Sequence, residues 1–190
     1  MQNIDRNNKH DDIKRLIGLA HAKDSKPSDF MRAVKANLRN GKEKDAFVLL
    51  QQAVIRFPED PIILSYYGCF QSLVDKKYRS GVETCKKAIA LLKKKGVFGE
   101  ELLYPVFYLN LGRAYLSAGK KPDAIDAYKR GLMYDNSNGD LMRELRSLGM
   151  RKAPPVAFLD RSNPINKYIG LILRSVAIDS GKTGKRRVSG

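Results

Sequence analysis

Residues able to catalyse or to ligate are few and scattered in this 190-residue chain. Its two histidines, His10 and His21, lie in a polar N-terminal stretch, away from either cysteine and from paired acids other than Asp11-Asp12. A general base needs a nucleophile and an orienting group within hydrogen-bond reach, so each reads as a surface histidine. Cys69 and Cys85 form no Cys-x-x-Cys motif and no Cys/His cluster. Two are too few for a secreted disulfide framework, and both read as reduced thiols of a core or groove. Asp11-Asp12 and Glu100-Glu101 are isolated acid pairs without metal-ligand spacing, suited to helix starts, where the dipole favours negative charge. GKTGKRR resembles a phosphate loop only in composition. The pattern G-x4-G-K-[ST] would need glycine where Val176 stands, and no helix follows to aim N–H groups at a phosphate. The expectation is no enzyme, no metal and no cofactor.

The chemistry that remains is recognition, and helices must position it. Hydrophobic residues make up 43% of the chain, enough for a real core. No window approaches the roughly 18 apolar residues of a membrane span. The opening MQNIDRNNKHDDIKRL has no apolar signal-peptide region, so a cytoplasmic location is expected. The net charge of +16, from 36 basic and 20 acidic residues, favours acidic partners.

The most informative stretch is YLNLGRAYLSAGKKPDAIDAYKRGLMYDNSN. Tyr108-x2-Leu111-Gly112-x2-Tyr115 is followed by Ala124-x3-Tyr128, with Gly119 at a helix end and Pro122 at a helix start. This resembles the tetratricopeptide-repeat (TPR) family, whose pattern is W-x2-L-G-x2-Y, then A-x3-F, then P, in about 34 residues. Gly112 and Ala124 are expected to form a close helix–helix contact, with the large residues filling the hairpin. A weaker copy at 27–60 keeps Phe30, Ala33, Leu38, Gly41, Ala46, Leu50, Ala53 and Pro58, but Val34 replaces the packing glycine and Asn37 the tyrosine. A middle copy begins at Pro61, with Leu64, Tyr67, Gly68, Gly81, Cys85 and Ala88. Gly68 and Gly112 are 44 residues apart, against a family period of about 34. One extra residue sits in the turn VDKKYRS, and the rest around LLKKKGVFGEELL.

The expected fold is therefore all-α: a short TPR solenoid of about three helical hairpins, 27–60, 61–104 and 105–138, plus a capping helix. Residues 139–150 supply that cap, with Asp140 as its expected N-cap and Leu141, Leu145 and Leu148 on one face. Residues 1–26 are a polar segment with a short helix, whose stripe is Ile13, Leu16, Ile17 and Ala20. Residues 151–190 read as a Pro-Pro linker, an amphipathic helix after Asn163-Pro164 and a basic, unstructured tail. The helix's stripe, Ile165, Tyr168, Ile169, Ile172, Leu173 and Val176, needs a cover. Docking on its own array or self-association with a second copy is favoured, and a membrane is not.

The TPR resemblance implies a concave groove, lined by the first helix of each hairpin, that receives a peptide or protein segment. Register places Lys35, Arg39, Tyr66, Cys69, Asn110, Arg113, Ser117 and Arg143 along it. The Lys, Asn and Arg carboxylate clamp of the chaperone-binding subset is not reproduced: Met31 and Ser65 stand at positions where its members would be sought, and only Asn110 is suggestive. The expected function is a scaffold or adaptor that binds a protein or peptide partner, acidic by charge. The alternative is a nucleic-acid or anionic-surface binder working through the basic tail. It is not favoured, because no base-reading module is present.

Overall fold

A computed structural model describes residues 2–96 and 99–149, with side chains from Asp11 onward. The expected linker, amphipathic helix and basic tail of 151–190 lie outside the described residues. The described chain consists of α1 (Gln2–His21), α2 (Pro27–Arg39), α3 (Glu43–Arg56), α4 (Pro61–Leu73), α5 (Tyr78–Lys95), α6 (Tyr104–Ser117), α7 (Lys121–Tyr134) and α8 (Gly139–Ser147). A 3-10 turn at Glu100–Leu102 precedes α6. The hairpins are α2–α3, α4–α5 and α6–α7, and α6 packs on α4, α5 and α8. This is a TPR solenoid.

Local chemistry sets the helix starts. The Asp60 carboxylate accepts the Ile63 N–H at 2.9 Å, with Pro61 next in line, so an N–H otherwise left over at the helix start finds a partner. The Asp29 carboxylate likewise accepts the Lys26 N–H at 2.9 Å. At α8 the cap is Asn138, whose Oδ1 accepts the Leu141 N–H at 3.2 Å. The expected Asp140 lies two residues further on, in the first turn, paired with Arg143 at 3.0 Å.

The turns show how the middle repeat takes its extra residues. In hairpins one and three the turn residues are Gly41 and Gly119, with φ of +69° and +73°. They close with Lys42 N–H to Asn37 C=O and Lys120 N–H to Tyr115 C=O. In hairpin two Lys76 adopts φ 58°, and Lys77 N–H reaches back to Gln71 C=O, one residue further. α5 is 18 residues long where α3 and α7 have 14. The remaining insertion is the connection through Gly96 and Gly99 to the 3-10 turn.

Two close approaches bring helices together. A Cβ on Gly68 would lie 2.6 Å from the Gly81 carbonyl oxygen and 2.8 Å from the Cys85 nitrogen, so α4 and α5 cross almost backbone to backbone. In hairpin three the expected partner of Gly112 was Ala124. Ala124 is fully buried, but the group pressed against Gly112 is the ring of Tyr128. In hairpin one Val34 takes the glycine's place, fully buried. Asn37 is buried beside it and donates from Nδ2 to the Ala33 carbonyl at 3.0 Å.

Both ends of the array are covered. α1 is longer than the short helix expected. It buries Ile13 and Ala20 and packs Leu16 and Ile17 against the first hairpin. Arg56 at the end of α3 donates to the Ala22 and Lys23 carbonyls just after α1. At the other end Leu141 of α8 is fully buried against α7, where a Cβ on Gly131 would lie 2.7 Å from Leu141 Cδ1.

Candidate binding groove

The first helices of the hairpins, α2, α4 and α6, continue into α8, and the residues assigned to the groove from sequence are spread along them. The structure separates these residues into three environments.

At the α2 end, Lys35 and Arg39 are exposed, and neither pairs with a carboxylate among the described residues. Lys35 borders a cleft of about 570 Å³ between the starts of α2 and α4. Pro27, Met31 and Ile62 make its apolar surface, and Lys26 and Arg32 join Lys35 at its margin. The nearby acids are already engaged. Asp60 caps α4, and Asp29 caps α2 while standing 3.9 Å from Arg32. Positive charge is therefore in surplus beside an open apolar surface.

In the middle, Tyr66 is half-buried and its hydroxyl is shifted upward, chiefly by burial. Two residues expected to line the groove are buried instead. Cys69 is 1% exposed, and burial pushes its thiol up to about 12. Asn110 is 3% exposed and donates from Nδ2 to Ser65 Oγ at 3.0 Å. Asn110 thus ties α6 to α4, which satisfies a polar group that would be costly to bury unpaired.

At the α8 end the charges cancel locally. Arg113 donates from Nε to Glu144 Oε1 at 2.8 Å, joining α6 to α8. Arg143 pairs with Asp140 on its own helix. Ser117 is half-buried at the end of α6. The four cations expected to act together are therefore split: Lys35 and Arg39 are uncompensated, and Arg113 and Arg143 are neutralised. Below Arg113 lies Tyr128, fully buried, with a hydroxyl that has no hydrogen-bond partner among the described residues.

Sequence reasoning missed the acids Glu144 and Asp140 as charge partners, and Met31 and Ile62 as apolar lining. The signal for the lining was present. Met31 and Lys35 are four apart on one helix, as are Ile62 and Tyr66 on the other, and such residues share a face. Of the two histidines expected at the surface, His10 has its side chain outside the described residues, and His21 is exposed but its ring is engaged. His21 Nδ1 donates to the Ile17 carbonyl at 2.9 Å, and the ring meets Phe30 edge-on. Among the described residues no group of three His, Cys, Asp or Glu could hold a metal ion, and no helix is long and apolar enough to cross a membrane.

No protein-family model matches the chain, and no curated protein matches it. Solved structures do. The crystal structure of MamA is similar at 18% identity and a TM-score of 0.51, covering 79% of this chain and 84% of that one. The first TPR of Spaghetti (RPAP3), bound to the HSP90 peptide SRMEEVD, is similar at 20% identity and a TM-score of 0.49, covering 68% and 94%. The Sgt2 TPR domain from Aspergillus fumigatus is similar at 17% identity and a TM-score of 0.46, covering 74% and 93%. At 18% identity the likeness to MamA speaks for the fold alone.

Proposed function

We propose that this chain, a tetratricopeptide-repeat fold, is a non-catalytic interaction module that receives an acidic peptide or protein segment along the face formed by α2, α4, α6 and α8. The observation that carries this reading is the cleft at the α2 end. Its apolar floor of Met31 and Ile62 lies beside Lys35 and Arg32, and the acids near them serve as helix caps. An apolar side chain of the partner would fill the cleft, and flanking carboxylates would meet the cations. Such charge pairing sets register and on-rate more than affinity, while the buried apolar anchor supplies the affinity. The paired Arg113–Glu144 end takes a segment with no charge preference, so the partner's acids belong at the α2 end.

Panning a random-peptide display library on the intact chain tests this. The expected peptides carry Asp or Glu within a few residues of a large apolar side chain, and Lys35→Glu weakens them at least tenfold. Selected peptides without acidic bias, or with affinity indifferent to Lys35→Glu, would overturn the proposal.

A further inference from the structure

α6 presents two opposite faces. Arg113 and Ser117 lie on the groove side, with Asn110 on the same side but buried against Ser65 of α4. Tyr108, Leu111 and Tyr115 are offset from them by two residues, about 200° around the helix. These three floor a second cleft of about 360 Å³ between α5 and α7, with Lys86 and Ile89 on one wall and Asp126 and Arg130 on the other. A neighbouring cleft of about 500 Å³ shares Lys86, Tyr115 and Asp123 with it and adds Arg79 and Lys120. The two make one trough.

One helical turn beyond Ile89, Tyr108 and Arg130, toward the same end, stand Lys93, Tyr104 and Tyr134. Tyr104 and Tyr134 stack at 4.5 Å, and Tyr108 lies 6.1 Å from Tyr134. Leu92 is buried in one cluster with Tyr104, which brings the Lys93, Lys94 and Lys95 end of α5 to the stack. Tyr134 stacks on Tyr104 and Tyr108 and is still 49% exposed.

Charge is concentrated on the α5 side. α5 carries six basic residues against Glu83 alone, whereas α3 carries two of each sign. Within the trough, Lys86 pairs with Glu83 at 2.9 Å and Arg130 with Asp126 at 2.8 Å. Arg79, Lys120 and the three lysines at the end of α5 are left, opposed by Asp123 and by Glu100, which accepts from the Tyr104 hydroxyl at 3.3 Å beside the stack.

We propose that this trough binds single-stranded nucleic acid without base preference, its lysines and Arg79 lying along phosphates and the half-exposed Tyr134 at its end stacking on a base. A basic channel with an aromatic platform is the arrangement that holds single strands, because every base has a π-face and the backbone charge is uniform. An acidic peptide would use the cations but not the ring. A flat lipid surface would not enter the trough.

The test is fluorescence anisotropy of a short labelled oligodeoxythymidylate with the full chain, across a salt series. Affinity is expected to fall steeply with salt. Tyr134→Ala is expected to weaken it between about 5-fold and 150-fold, the range of one lost stacking contact, while Tyr134→Phe keeps it within about twofold. Replacing Lys93, Lys94 and Lys95 with Ala is expected to reduce the log–log salt slope by up to about 2. All three are exposed, so this variant does not disturb the core. The proposal is overturned by no binding at low salt, by binding that ignores both the Tyr134→Ala and the lysine variants, or by binding of phosphatidylserine vesicles without oligonucleotide binding.

Discussion

Gly112 lies flat against the ring of Tyr128: a Cβ at Gly112 would come within 2.8 Å of Tyr128 Cζ and closer still to two other ring carbons. Tyr128 is fully buried, so the ring cannot swing aside into solvent. Gly112→Leu is expected to overpack the third hairpin and cost about 1–3 kcal/mol. Gly112→Ala should cost less, since alanine gains about 1 kcal/mol of helix propensity over glycine. Pairing Gly112→Ala with Tyr128→Leu should recover part of the loss. Thermal unfolding followed by circular dichroism decides it, and a Gly112→Leu protein that melts with the parent would show that this contact is not close.

The cap depends on a single buried anchor. Leu141 is fully buried against Gly131 and is the one buried residue of α8. Leu141→Ala is expected to cost about 2–5 kcal/mol by leaving a cavity. Hydrogen exchange should rise first in α8 and next in α7, which α8 covers. Equal protection of both helices in the variant and the parent would mean the cap is not held this way.

Arg113 and Glu144 form a partly exposed pair between α6 and α8. A double-mutant cycle with Arg113→Ala and Glu144→Ala should return a coupling of about 0.5–1 kcal/mol. The coupling should shrink in high salt. Zero coupling at low salt would mean that Arg113 is available to a ligand after all.

Alkaline pH should loosen the second and third hairpins. Burial raises the Cys69 thiol from its ordinary 9.0 to about 12, and Cys85 is raised by burial and by Cys69. Tyr104 is raised to about 12 by burial and by Glu100. For Cys69 the folded form holds the proton more tightly than the unfolded chain. Its stabilisation is complete below about pH 9 and is lost as pH rises from there through about 12. Melting temperature is expected to be insensitive to this group from pH 7 to 9 and to fall beyond, less steeply in Cys69→Ala. Both buried thiols should also resist a thiol reagent at pH 8 until denaturant is added. Rapid labelling of the native chain at pH 8 would contradict their burial.

Helices, turns and repeats were legible in the sequence because each rests on local physics. Pro61 and Pro122 stand in the first turns of α4 and α7, Gly41 and Gly119 take the left-handed turns, and the spacing of Gly68, Gly112 and Ala124 marks hairpins. The excess charge was equally plain. Tertiary structure alone decided which neighbours those residues meet. The Tyr128 ring is what presses most closely on Gly112, and Asn110 turns inward to Ser65. Arg113 is neutralised by Glu144, 31 residues away. A helical period tells which side chains share a face, but not how deeply that face is covered or what charge the next helix brings to it. Those depend on the distance and angle between helices, which small residues such as Gly68 and Gly131 set one contact at a time. For the same reason the row Tyr104, Tyr108 and Tyr115 of α6 gained its meaning only when α5 and α7 closed on either side of it.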